Sequence, residues 1–148
     1  MSEIILTQKE ADFLIKMEKI AINDQEFELP DLGGSIGVPL QSINKKEHFI
    51  LDLSKGRIDI KRQTFQNRAR ESIVLIRLDL GKRHRNPDKV EIGDPHIHYY
   101  REGYGHKWAF DLPENVFSNL DCAWQVLQDF MKLCNITKSP NFKRSLFS

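Results

Sequence analysis

The chain is poor in cysteine, with only Cys122 and Cys134 in 148 residues. On a single helix their spacing would put them roughly 18 Å apart at about 1.5 Å per residue, too far for a disulfide. A disulfide-stapled scaffold is therefore excluded, and both thiols are expected to be reduced, small apolar core groups. The sequence also lacks any apolar run approaching the eighteen or so residues of a membrane helix. The opening MSEIILTQKEADFL is acidic and polar where a signal peptide would carry a basic start and a long apolar stretch. The expectation is a cytoplasmic protein with no membrane association. No repeat, low-complexity tract or linker divides the chain, so one domain is expected over residues 1–148, with 135–148 as a loosely held tail.

Charge of one sign is missing only in total. The formal net charge is +1, but residues 1–54 carry five Lys or Arg against ten Asp or Glu, residues 55–89 carry eleven against four, and residues 90–148 carry six against seven. A basic middle segment is what an anion-binding face looks like, although a solvated strand pair gives the same count. The candidate nucleic-acid contacts are Arg57, Lys61, Arg62, Arg68, Arg70, Lys82, Arg83 and Arg85, with Arg101 further on.

With 40% hydrophobic and 29% charged residues, the chain can bury a core. In TQKEADFLIKMEKIA, Thr7 and Glu10 form a capping box, and Phe13, Leu14, Met17, Ile20 and Ala21 share one side at helical spacing. LPDLGGSIGVPL is a loop by its Gly and Pro content. HFILDLSKGRIDIKRQTF is patterned as a hairpin turning at Ser54, Lys55 and Gly56, with Ile58 and Ile60 on the buried side of its second strand. After the polar link QNRARE, SIVLIRLDL has the length and branched content of a buried strand. The turn-rich GKRHRNPDKVEIGDP then returns the chain to HIHYYRE as an antiparallel neighbour. SNLDCAWQVLQDFMKLC is patterned as a helix capped by Ser118 and Asp121, with Leu120, Ala123, Trp124, Leu127, Phe130, Met131 and Cys134 on one stripe. The fold class expected is α+β: an antiparallel β-sheet with an N-terminal and a C-terminal amphipathic helix packed on it.

The densest chemistry lies in DPHIHYYREGYGHKWAFDLP, residues 94–113. Strand alternation aligns His96, His98, Tyr100 and Glu102 on one face and Ile97, Tyr99 and Arg101 on the other. A metal-independent ribonuclease would use His96 or His98 as base, the other or His84 as acid, and Arg77, Arg101 or Lys107 to hold the phosphate, with Tyr100 beside them. A metal strand is the second possibility, because His96, His98 and Glu102 follow the H-x-H-x-x-x-E spacing of the first cupin motif. The cupin glycines are replaced by Val90 and Ala109 and the second motif is absent, so no metal and no cofactor are expected. The third possibility is a recognition surface in which Tyr100, Tyr104 and His106 stack on bases or dock a host or cognate protein. A purely structural role fits GYGHKWAF, where Gly103 and Gly105 permit a turn and Trp108 and Phe110 lead into the core.

LDLSKGRIDIKRQTFQNRARESIVLIRLDLG, HRNPD and PHIHYYREGYGHKWAFDLP, taken together over about residues 48–113, resemble a family of small uncharacterised proteins encoded by bacteria, phages and other mobile elements. That resemblance implies a setting in which toxins, antitoxins and inhibitors of host defence are common. It also leads one to expect a glycine after the aspartate of HRNPD, where this chain has Lys89. The leading expectation is a toxin-like endoribonuclease acting on RNA through His96 and His98; the alternative is a non-catalytic protein of a mobile element that binds a host protein or nucleic-acid complex.

Overall fold

The computed structural model describes residues 5–59 and 61–143. Helix α1 (Gln8–Lys16) begins at the expected capping box, where the Glu10 amide donates to Thr7 Oγ1 and the Thr7 amide to Glu10 Oε1. Strands follow as β1 (Lys19–Ala21), β2 (Glu26–Glu28), β3 (Ser35–Ser42), β4 (His48–Lys55), β5 (Gln63–Ala69), β6 (Ile73–Leu80), β7 (His84–Arg85), β8 (Glu91–Ile92), β9 (His96–Tyr99) and β10 (Ala109–Phe110). Helix α2 (Ala123–Leu133), β11 (Ile136–Lys138) and β12 (Asn141–Lys143) complete them.

The α+β expectation is overturned: the protein is mostly sheet, and the main sheet is mixed. Its eight strands run in the order β10-β9-β6-β5-β4-β3-β1-β11, antiparallel except at the β1–β11 edge, and β12 pairs in parallel with β2 in a separate ribbon. The differences are local, beginning with the expected loop LPDLGGSIGVPL, whose residues 35–40 belong to β3. The end of the expected first helix is strand β1, and the expected tail supplies β11 and β12 up to residue 143; residues 144–148 lie outside the described residues. The expected second hairpin strand is a loop, with Ile58 95% exposed and Ile60 outside the described residues, while the supposed link QNRARE lies largely within β5. That polar run is a strand because β4 and β6 satisfy its backbone on both sides. The expected cap of the last helix is also absent: Cys122 is the N-cap residue with no side-chain bond, and the Ser118 amide instead donates to Asp129 in the second turn of the helix.

One sheet face is apolar, with Leu51, Leu53, Phe65, Leu78 and Ile97 joined in the core by Leu14 of α1 and Leu127, Phe130 and Met131 of α2. The other face is polar, and the register lays it out in two rungs. Asp52, Gln66, Arg77 and His98 are successive cross-strand partners, as are Ser54, Thr64, Asp79 and His96.

Where β1 meets β11, Lys19 is fully buried. Its ammonium donates to the carbonyls of Ile15, Met17 and Cys134 at 2.9, 2.9 and 2.8 Å and lies 4.9 Å from the centre of the Phe49 ring. It thus caps the C-terminal ends of both helices at once. Burial pushes the Lys19 amine down to about 8 and the neighbouring Cys134 thiol up to about 12. Between pH 8 and the ordinary lysine range the unfolded chain binds the proton more tightly, so the cost of charging Lys19 is present below pH 8 and is relieved as pH rises.

Lys19→Met should therefore destabilise the fold by about 1–3 kcal/mol at pH 7, through three carbonyls left without a donor. The deficit relative to wild type should widen by about 2 kcal/mol between pH 7 and 9.5, read by urea unfolding at both pH values. In the β7–β8 hairpin, Lys89 has φ 68°, and its amide donates to the Asn86 carbonyl at 2.8 Å. This is the position where the family resemblance calls for glycine. Lys89→Gly should raise stability by about 0.5–1 kcal/mol by removing the left-handed penalty, measured by the same unfolding assay.

Candidate functional site

The site is built where β6 and β9 pair. The run SIVLIRLDL places two polar residues, Arg77 and Asp79, two positions apart on an otherwise apolar strand, so both fall on the polar face. HIH on β9 answers them in register, Arg77 opposite His98 and Asp79 opposite His96. An exposed sheet face would leave these groups in water, but two chain segments cover them. Residues 82–95 and 103–108 are strapped together by Asn86, whose side chain accepts from the Ala109 amide at 2.8 Å and donates to the Ala109 carbonyl at 2.9 Å, as a strand neighbour would. As a result Asp79, His96 and His98 are 2%, 0% and 4% exposed.

Asp79 is the hub. Its Oδ1 accepts from Thr64 Oγ1 at 2.9 Å and Arg77 Nε at 3.1 Å, and its Oδ2 lies 3.2 Å from Nε2 of both His96 and His98. Burial alone would raise its carboxyl, but the His96 and His98 contacts, the Arg77 charge and Thr64 outweigh it and hold the carboxyl well below the usual carboxylate range.

The far nitrogens of the rings are equally fixed. His96 Nδ1 is 3.1 Å from the Gly93 carbonyl, His98 Nδ1 is 2.7 Å from the His106 carbonyl, and His84 Nε2 is 2.7 Å from the Lys107 carbonyl. Carbonyl oxygens only accept, so each of these nitrogens carries its proton. His84 stands beside the pair, its ring centre 4.7 Å from that of His98 and 5.8 Å from that of His96. Burial pushes His84 below the ordinary histidine range, with the neighbouring His98 and His96 adding to the effect. His106 is lowered by burial and by Arg77. One oxygen from Asp79 and one nitrogen each from His96 and His98 lie within 4.8 Å of one another, a donor set of the kind that holds a borderline metal ion.

The structure separates several residues that alternation had put together. Strand β9 ends at Tyr99, and Tyr100 enters the core, where its hydroxyl donates to the Leu6 carbonyl at 2.8 Å and accepts from the Leu6 amide at 2.9 Å. Glu102, the carboxylate of the cupin-like spacing, is exposed and accepts from the Gln8 amide at 2.7 Å. Its place in the cluster is taken by Asp79, to which the sequence reading gave no role. Arg101 stacks on Trp108 at 4.4 Å and lies 5.6 Å from the Tyr104 ring, outside the cluster. Lys107 is exposed, and its contribution to the cluster is the carbonyl that holds His84.

The basic residues divide into two groups. Arg68 is paired with Asp52, Arg70 with Glu47 and Arg85 with Glu91. Arg57, Lys61, Arg62, Lys82 and Arg83 are exposed and form no ion pair with another described residue. These five occupy the loops at one end of the sheet, where Gln63 pairs with Leu80 and the chain leaves β6. A Cβ at Gly81, which has φ 80°, would lie 2.9 Å from Arg62 Cα, so the two loops run against each other. His96 opens β9 at this same end.

Asn86→Ala should remove both bonds to Ala109 at a cost of about 1–3 kcal/mol and speed amide hydrogen exchange over residues 103–109, with little change in the β4–β5 ladder.

No helix among the described residues is long and apolar enough to cross a membrane. No curated protein and no solved structure matches the chain. Residues 6–136 match a protein family described as a family of unknown function, DUF6978. That match takes in both helices and all of β1–β10, the Asp79–His96–His98 cluster included, and the chain belongs to this family.

Proposed function

We propose that this protein binds a phosphate-bearing target in the cytoplasm, with single-stranded RNA as the first candidate, at the end of the sheet formed by the 56–62 and 81–83 loops. The observation that carries the reading is the grouping of Arg57, Lys61, Arg62, Lys82 and Arg83 there, none of them in an ion pair with another described residue, while Asp59 and Asp94 at the same end are engaged by the Lys61 and Gly81 amides. Cations already paired, such as Arg68 and Arg70, would have to break those pairs to meet a phosphate. Free ones release counterions directly. Cleavage by the histidine pair is less well supported. His96 is 0% exposed and both rings are held by carbonyls and Asp79, so neither reaches a phosphodiester without displacement of the covering segments. The reading is therefore of a binder, closer to the inhibitors and antitoxin-like proteins of mobile elements than to a nuclease.

A short fluorescent single-stranded RNA, titrated at two salt concentrations, tests it. If about four phosphates are contacted, log affinity should fall with log salt at a slope of roughly −3, and Lys61→Gln with Arg62→Gln should flatten that slope by about one or more. Arg70→Gln should leave it unchanged, and the RNA should be recovered intact. No binding even at low salt overturns the nucleic-acid reading and favours a protein partner docked on the exposed Arg101 and Tyr104 beside the half-buried Trp108, where salt has little influence.

A further inference from the structure

The geometry points to a divalent transition-metal centre of the zinc class, ligated by Asp79 Oδ2, His96 Nε2 and His98 Nε2, with its fourth position open to water. The argument begins with proton counting. Because Nδ1 of His96 and of His98 each donates to a backbone carbonyl, Nε2 of a neutral ring is a bare lone pair in both. Both lone pairs are directed at one oxygen, Asp79 Oδ2, which has only lone pairs to offer. Three converging lone pairs in a pocket nearly closed to water need something positive between them.

Two protons, one on each Nε2, could supply it, and so could one divalent ion of the same charge. The two Asp79 edges favour the ion, and the edge between the imidazoles lies within 4.8 Å. A charge-assisted bond from an imidazolium to a carboxylate runs about 2.7–2.9 Å, whereas both contacts here are 3.2 Å. In a tetrahedral centre with bonds of about 2.0–2.1 Å, neighbouring ligand atoms stand about 3.3–3.4 Å apart, which is the spacing nearer to that observed.

The surroundings of the ligands are those of a metal site. A ligating histidine donates its other ring nitrogen to a carbonyl or carboxylate, and a ligating carboxylate is itself hydrogen-bonded. His96 and His98 donate to Gly93 and His106, while the oxygen of Asp79 that faces away from the rings receives Thr64 and Arg77. His84, half-buried beside them, spends Nε2 on the Lys107 carbonyl and is not among the atoms that lie within 4.8 Å of one another, so the fourth position is left to water. Two imidazoles and one carboxylate favour zinc, cobalt or nickel over the oxygen-seeking magnesium and calcium. The carbonyls that position His96 and His98 belong to the two covering segments, so an ion fixing the rings would also fasten residues 82–95 and 103–108 over the sheet. This assignment rests on the cluster alone and is independent of the RNA reading.

The test uses the full chain, stripped with a chelator and titrated with Zn²⁺, with Co²⁺ as spectroscopic probe and Mg²⁺ as control. Expected are one ion per chain, the intense visible absorption of low-coordinate Co²⁺, and a melting temperature raised by roughly 5–10 °C at a hundredfold excess over Kd. Amide exchange should slow in residues 82–95 and 103–108, and Mg²⁺ should do none of this. Asp79→Asn, which keeps the shape, should weaken Zn²⁺ at least 10²-fold, and His98→Gln provides the second variant should the first fail to fold. His48→Ala, at an exposed histidine on another strand, should bind as wild type does. Absence of stoichiometric uptake by the wild-type chain overturns the assignment, as does unchanged affinity in a folded Asp79→Asn or His98→Gln variant.

Discussion

A carboxylate withdrawn from water must be met by donors or by a cation, and that requirement at Asp79 organises the polar side of this sheet. Thr64 of β5, Arg77 of β6, and His96 and His98 of β9 all turn toward its two oxygens, so three strands are tied by side chains as well as by their ladders. The requirement propagates outward. Two rings held in place by Asp79 need acceptors on their far side, and the Gly93 and His106 carbonyls supply them only because the chain folds back over the sheet at both places. The covering of the site and its electrostatics are thus one arrangement.

The ends of the site strand extend the same economy into the core. Immediately after β9, Tyr100 closes two hydrogen bonds with Leu6, and Gln8 and Glu102 exchange bonds between backbone and side chain in both directions. Helix α1 is therefore attached to the chain just beyond the histidines. Displacement of β9 along its axis would be felt at the start of α1.

How far the sequence discloses this depends on the range of the interaction that fixes each element. Local signals read correctly: the Thr7–Glu10 box starts α1, and SIVLIRLDL is a buried strand antiparallel to HIHYYRE. What misread was decided at a distance. Lys19–Ala21 continues a helical apolar pattern but is drawn into a strand by Ile136 and Ser42. QNRARE carries no strand propensity to speak of, yet it continues the alternation begun at Phe65 and buries Asn67 and Ala69 on one side once β4 and β6 flank it. At the site, His96, His98 and Arg77 are legible as a shared face. Tyr100 and Glu102 are lost to it because β9 stops at Tyr99. Asp79 was readable in principle as a lone acid two residues from Arg77 on an apolar strand, but its role as hub depends on a covering that no periodicity encodes.

The parallel pairing of β1 with β11 brings residue 19 beside residue 136 and hands one of the three acceptors of the Lys19 ammonium to Cys134. On the ribosome this makes assembly a matter of waiting. β3, β4, β5, β6 and β9 can zip in order of synthesis, each onto the last, whereas β1 emerges early and keeps an unpaired edge and an incompletely bonded ammonium until α2 and β11 have left the exit tunnel. The first strand made is among the last to be closed in, so a nascent chain halted before residue 136 presents an open sheet edge on which a chaperone, or another unfinished copy, can add.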